Sequence, residues 1–101
     1  MTTYLIKYHP AVTEDLQLLG ETTRRQVFKK LQQLARGPQL GQPLGNQAGL
    51  DLTGYRKAYV DNRRVRIVYR ISETEISILV IAVGKREDLE VYKLAYQRLM
   101  K

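Results

Sequence analysis

A chain of 101 residues with 44% apolar and 27% charged residues reads as one soluble globular domain spanning 1–101, with a modest core. Having no cysteine and one histidine, it has no means of making a disulfide, a thiolate metal centre or a His-rich metal site. The net charge of +7, from 17 Lys+Arg against 10 Asp+Glu, points to polyanions as partners, although many small proteins are basic for solubility alone. No apolar run is long enough to span a bilayer and no signal-peptide pattern opens the chain, so a cytoplasmic location is expected. The charge is not spread evenly. Arg56, Lys57, Arg63, Arg64, Arg66 and Arg70 stand against Asp61 alone within residues 55–70.

In chain order, Thr3 to Tyr8 is rich in β-formers and reads as a first strand ended by His9-Pro10. Pro10 suits the first turn of a helix, and Val12, Leu16 and Leu19 share one helical face before Gly20. His9 reads as a loop residue at the helix start rather than as a catalytic base. A second helix is expected from Glu21 to Arg36, opened by a Thr23/Gln26 capping box. Its Val27, Phe28, Leu31, Leu34 and Ala35 should face the core. Its basic residues, Lys29 and Lys30 among them, read as a solvated face. Gly37 to Gly54 holds five of the seven glycines. It reads as a long loop tacked to the core by Leu40, Leu44, Leu50 and Leu52.

Tyr55–Val60, Arg64–Ile71 and Ile76–Val83 then read as a three-stranded antiparallel meander. Asp61-Asn62 and Ser72–Glu75 form its turns. The last strand is nearly all apolar, which fits a central position covered on both faces. Gly84 should end it. A final helix is expected from Leu89 to about Met100, capped by Asp88 and striped by Leu89, Tyr92, Tyr96 and Leu99. The class is α+β: an N-terminal strand, a helical hairpin, a three-stranded meander and a C-terminal helix, with a compact single sheet.

Side chains alternate across a strand. Val65, Ile67, Tyr69 and Ile71 should therefore pack on the helices, while Tyr55, Lys57, Tyr59, Arg64 and Arg66 line the opposite, open face. A tight turn at Asp61-Asn62 would set Lys57 opposite Arg66, Tyr59 opposite Arg64 and Ala58 opposite Val65. Like charges facing each other destabilise a sheet, so an anion between Lys57 and Arg66 would explain the pair. Lys85, Arg86 and Tyr92 follow at the end of the central strand. Tyr92 taken alone is more often a core residue, and Arg86 a solvated charge. Together with Lys57 and Arg66 they outline an anion site with an aromatic ring available for stacking, suited to single-stranded RNA.

Arg66-Ile67-Val68-Tyr69 and Val83-Gly84-Lys85-Arg86-Glu87-Asp88-Leu89-Glu90-Val91-Tyr92 carry a resemblance. Over almost its whole length the chain resembles the RelE toxins of the RelE/ParE toxin–antitoxin superfamily. The resemblance implies a RelE-like fold and an mRNA endoribonuclease that works in the ribosomal A site. Cleavage would proceed by metal-independent attack of a ribose 2′-OH on the adjacent phosphate, with no cofactor. It also implies a monomeric free toxin and a cognate antitoxin that joins it in a higher-order complex.

By resemblance, Arg66 and Arg86 match phosphate- and transition-state-binding arginines, and Tyr92 the active-site tyrosine. Lys57 matches a lysine that binds the anion or accepts the 2′-OH proton. Arg56, Tyr59, Arg64 and Lys85 are the flanking RNA-binding candidates. The chain departs from the pattern between Tyr55 and Arg66, where it has one residue more. A second lysine expected on that strand is missing, and Tyr59 or Arg56 takes its place. Phosphodiester cleavage needs a base, an acid and stabilisation of a more highly charged phosphorane. Arginine serves the last need best, since it pairs well with phosphate oxygens and stays protonated. The ParE branch, a gyrase inhibitor without nuclease activity, and a non-catalytic nucleic-acid-binding module are the rival readings.

Overall fold

The computed structural model describes residues 2–85, Glu87 and residues 90–100. Strand β1 (Leu5–Tyr8) leads into helices α1 (Val12–Gln17) and α2 (Glu21–Arg36), followed by one 3₁₀ turn at Pro38–Leu40. Three two-residue strands come next: β2 (Gln42–Pro43), β3 (Asn46–Gln47) and β4 (Leu50–Asp51). The long strands β5 (Tyr55–Val60), β6 (Val65–Ser72) and β7 (Ser77–Lys85) form the meander, and α3 (Glu90–Leu99) closes the fold. The class is α+β. The main sheet is wider than the meander, with five strands in the order β1-β7-β6-β5-β2, and β3-β4 form a separate two-stranded sheet. Among the described residues no helix is long and apolar enough to cross a membrane.

The sheet lies between two apolar cores. On one face Val60, Val65, Ile67, Tyr69, Ile78 and Val80 pack against Val12, Leu19, Val27, Leu31 and Leu34 of the α1–α2 region. On the other, Val68, Ile81 and Ala82 pack against Val91, Tyr92 and Ala95 of α3 and against Leu44 and Leu52. Strand β7 is therefore covered on both faces, as its unbroken apolar run implies. The face expected to be open is closed over much of its area by α3.

A β-bulge interrupts β7. Val68 pairs with Ala82 and Tyr69 with Val80, so Ile81 has no partner on β6. Pairing to β1 ends at Val80, which leaves the far edge of β7 uncovered from that point. A buried ion pair covers it. Asp15 Oδ2 accepts the Val83 N–H at 3.0 Å, and Arg98 Nη1 donates to the Ile81 carbonyl at 2.9 Å. The two side chains also meet as a fork, Nη1 to Oδ2 at 2.6 Å and Nη2 to Oδ1 at 2.8 Å. Each partner thus has further hydrogen bonds, the condition under which a buried pair holds a structure together. The pair ties α1 and α3 across the sheet.

Several local expectations are corrected. The Thr23/Gln26 capping box does not form, since Gly20 is the N-cap of α2 and makes no side-chain cap. Those two side chains reach the β5–β6 turn instead. Thr23 Oγ1 bonds Asp61 Oδ2 at 3.3 Å, and Gln26 Oε1 accepts the Asp61 N–H at 3.0 Å. Helix α1 is short and starts at Val12, with Ala11 as its N-cap; His9 Nδ1 accepts the Ala11 N–H at 3.1 Å. Phe28 is 43% and Leu40 69% exposed, so neither is the core residue expected. Strand β7 runs through Gly84 to Lys85. The expected Asp88 cap and the Leu89 position of the apolar stripe lie outside the described residues.

The loop before the meander is more ordered than its composition suggested. Gly41 makes this possible, because a Cβ there would collide with Tyr69 Oη and the Lys57 carbonyl. The Tyr69 hydroxyl donates to the Pro38 carbonyl at 2.6 Å and accepts the Gly41 N–H at 3.1 Å.

Candidate functional site

The turn between β5 and β6 sets the geometry of the cationic face. It spans four residues, Asp61 to Arg64, closed by the Arg64 N–H donating to the Asp61 carbonyl at 2.9 Å. Asp61, Asn62 and Arg63 all have positive φ, at 54°, 53° and 67°. Aspartate and asparagine tolerate the left-handed region, whereas an arginine there is strained. The Thr23 and Gln26 bonds hold Asp61 in place and help to sustain it.

This turn displaces the expected register by two residues. Tyr59 faces Arg66, Lys57 faces Val68 and Ala58 faces Ile67. A two-residue displacement leaves every side chain on its own face, so the face assignment survives for Tyr55, Lys57, Tyr59 and Arg66, but not for Arg64, which lies in the turn. The proposed direct opposition of Lys57 and Arg66 does not survive.

The cations converge on a ring instead. Lys57 Nζ, the Arg63 guanidinium and the Arg66 guanidinium lie 5.4, 5.3 and 5.3 Å from the centroid of Tyr59. Arg66 lies also 4.8 Å from the centroid of Tyr92, so its guanidinium contacts two aromatic rings. Cation–π contacts of this kind are worth about 0.5–2 kcal/mol each. They hold the cations close together without using up their charge. Among the described residues the ion pairs are Lys7–Glu75, Arg25–Glu21 and Asp15–Arg98; none involves this cluster. Arg66 Nε and the Tyr92 hydroxyl are buried without a hydrogen-bond partner among the described residues. A buried donor left unpaired costs about 1–3 kcal/mol, a cost that an anion reaching Arg66 would remove.

The tyrosines of this face differ. The Lys57 ammonium first, with the Arg66 guanidinium, holds the Tyr59 phenol below the ordinary tyrosine value, against partial burial that acts the other way. Burial raises Tyr55 on this face, and Tyr69 on the opposite one. Tyr92 is 1% exposed. With Arg66 over its ring, Tyr92 is not free to stack on a base in this state; Tyr59 keeps part of its surface accessible.

The structure thus brings Lys57, Tyr59, Arg66 and Tyr92 together and adds Arg63. Three other candidates lie elsewhere. Arg56 points to the opposite face of β5 and donates to the Gly41 carbonyl at 2.7 Å. Arg64 and Lys85 line a cleft of about 640 Å³ beside Leu18, Leu19, Gly20 and Thr23, at the α1–α2 corner. Arg86 lies outside the described residues. Arg63 escaped the sequence reading because a two-residue turn would have put it at the start of the next strand. The Asp-Asn pair, which favours left-handed backbone, was the available signal. Lys29 and Lys30 of α2 share clefts with Tyr59, so the basic helical face borders the cluster.

Fold and site together define a small basic α+β protein with a cationic face built on the β5–β6 hairpin. Residues 6–90 match the family model described as the ParE toxin of type II toxin–antitoxin systems, parDE. The chain belongs to that toxin family, within the RelE/ParE superfamily. It is 29% identical over 103 residues to the mRNA interferase toxin RelE of Escherichia coli K12, a match covering 96% of this chain and 98% of the relative. A RelE-like toxin protein of E. coli is likewise 29% identical over 99 residues, covering 95% and 97%. Among solved structures, an arginine-to-alanine mutant of E. coli RelE in the free state superposes with a TM-score of 0.78 at 26% identity, covering 97% of this chain and 99% of that one. The same mutant bound to a peptide of the antitoxin RelB superposes at 0.71 and 26% identity, covering 93% and 95%.

Proposed function

We propose that this toxin is an mRNA endoribonuclease that cleaves in the ribosomal A site by attack of a ribose 2′-OH on the neighbouring phosphate. One observation carries the reading. Lys57, Arg63 and Arg66 gather around Tyr59, and Arg66 keeps a buried Nε with no hydrogen-bond partner among the described residues. Such a cluster suits a phosphate passing through a dianionic phosphorane, where preorganised donors matter most. Arg66 is the phosphate clamp, with the guanidinium fork that fits two phosphate oxygens. Lys57 lies beside it as a second anion contact and candidate base. Arg86 and Tyr92 are assigned to the site by their match to the family motif. A site this rich in cations and poor in proton-transfer groups is expected to be weak on free RNA, and to depend on a cytoplasmic ribosome to orient the message.

The reading is also supported by the named activity of the E. coli relatives. Their antitoxin-bound structures support a cognate antitoxin as partner here, with α3 as a candidate contact. Primer extension on mRNA from a cell-free translation reaction tests it, with wild type and Arg66→Ala in parallel. New 5′ ends inside A-site codons are expected with wild type, strongly reduced in the variant and absent without ribosomes.

The family model's description as a ParE toxin favours one alternative, gyrase inhibition without nuclease activity. Inhibition of supercoiling by antitoxin-free protein that leaves translated mRNA intact would establish that reading in place of the first.

A further inference from the structure

We propose that the Tyr59 hydroxyl, rather than Lys57, accepts the 2′-OH proton in this toxin. The inference rests on the nuclease reading and concerns only which group is the base. The arrangement around Tyr59 suits a group that is negative when it works. Lys57, Arg63 and Arg66 stand within 5.3–5.4 Å of its ring centroid, and Tyr59 sits directly across the ladder from Arg66. A phenolate among three cations is stabilised by all of them and stays in attractive contact with the cluster while it waits for the proton. The Lys57 ammonium and the Arg66 guanidinium already favour the phenolate.

The neighbouring elements reinforce this. Lys29 and Lys30 of α2 line clefts that Tyr59 also lines; Asp61 lines one of them and is already bonded to Thr23. Tyr92 is a poor candidate, since it is 1% exposed with its hydroxyl buried. Tyr59 is partly exposed, next to the phosphate clamp.

The step balances without a further reagent. The Tyr59 phenolate takes the 2′-OH proton and becomes a phenol. The 2′-oxygen forms its bond to phosphorus while Arg66 and Lys57 bear the phosphorane charge. The bond to the 5′-oxygen breaks, and that oxygen takes a proton from water or from Lys57. The products are a 2′,3′-cyclic phosphate and a 5′-hydroxyl end, and Tyr59 returns its proton to water.

Tyr59→Phe tests the idea because it keeps the ring that holds the cations and removes only the oxygen. Tyrosinate absorbance followed against pH comes first. One of the seven tyrosines should ionise below the others in wild type, and that early step should be missing in Tyr59→Phe. In single-turnover cleavage on programmed ribosomes, Tyr59→Phe should lose roughly 10²–10⁴-fold in rate, the usual contribution of a general base, with binding nearly unchanged. Replacing tyrosine by fluorotyrosine should move the ascending, acid-side limb of the rate profile, the one set by the base, to lower pH, and Lys57→Met should move it to higher pH.

A Tyr59→Phe protein that cleaves at the wild-type rate would overturn the proposal and leave the ring as an organiser of cations. So would a wild-type rate profile unmoved by fluorotyrosine. Wild-type protein that cuts no message on ribosomes would instead sink the nuclease reading, and this proposal with it.

Discussion

Arg98 and Arg66 are both largely shielded from solvent and are used in opposite ways. Arg98 is fully engaged, holding both oxygens of Asp15 and the Ile81 carbonyl at the β7 bulge. Arg66, at the β5–β6 hairpin, rests on two tyrosine rings and leaves Nε without a partner among the described residues. The first arrangement spends the charge on the fold, and the second leaves it unneutralised, as the proposed phosphate clamp requires. Aromatic rings make the second tolerable, because they hold a guanidinium in place without neutralising it. Buried charge is therefore weak evidence of function by itself; what the charge already holds is the informative property.

Substitutions should separate the two regions. Arg98→Ala leaves Asp15 buried and unpaired and uncovers the bulge, so a loss of about 3–5 kcal/mol in urea unfolding is expected. Arg66→Ala should do the reverse. Ribosome-dependent cleavage should fall by about 10²–10³-fold, as when one transition-state donor is removed, while the unfolding midpoint hardly moves. A large drop in stability for Arg66→Ala, or an active and stable Arg98→Ala, would erase the distinction.

Gly41→Ala forces a methyl group against Tyr69 Oη and should cost about 1–3 kcal/mol through overpacking, seen as a lowered midpoint in thermal unfolding. Thr23→Val should cost least, about 0.5–1.5 kcal/mol for one hydrogen bond. Because that bond steadies the turn that carries Arg63, the loss in cleavage rate should exceed the loss in stability. Equal effects would show that the turn holds its shape without the latch.

Legibility from sequence followed the range of the interactions. Alternation along β5 and β6 placed Lys57, Tyr59 and Arg66 on one face, because that periodicity is a local property of the strand. The apolar run of β7 announced its central place for the same reason. The register was out by two because the turn conformation involves α2, through Thr23 and Gln26, far away in sequence. The same side chains look like a capping box when only neighbours are considered. Nothing local marks the bulge at Ile81 or foretells that Asp15 and Arg98 will meet there. Phe28 has the spacing of a core residue, yet it falls beyond the edge of the buried stripe. Arg63 gave the weakest signal of all, as its place over Tyr59 depends on a left-handed turn that an arginine rarely adopts.

The pairing of β1 with β7 has a consequence for when this toxin can exist. Leu5 lies beside Ser77 and Tyr8 beside Val80, and Asp15 waits for Val83 and Arg98. Strand β1 therefore finds its partner only once β7 has been made, about 70 residues later, and long-range pairings of this kind form slowly. A nascent chain that has reached the β5–β6 hairpin has all three cations around Tyr59 in hand, but no central strand to mount them on. Stable folding is therefore expected only when α3, which supplies Arg98 and covers one face of the sheet, is available. Chains cut off before β7 should stay unfolded and protease-sensitive.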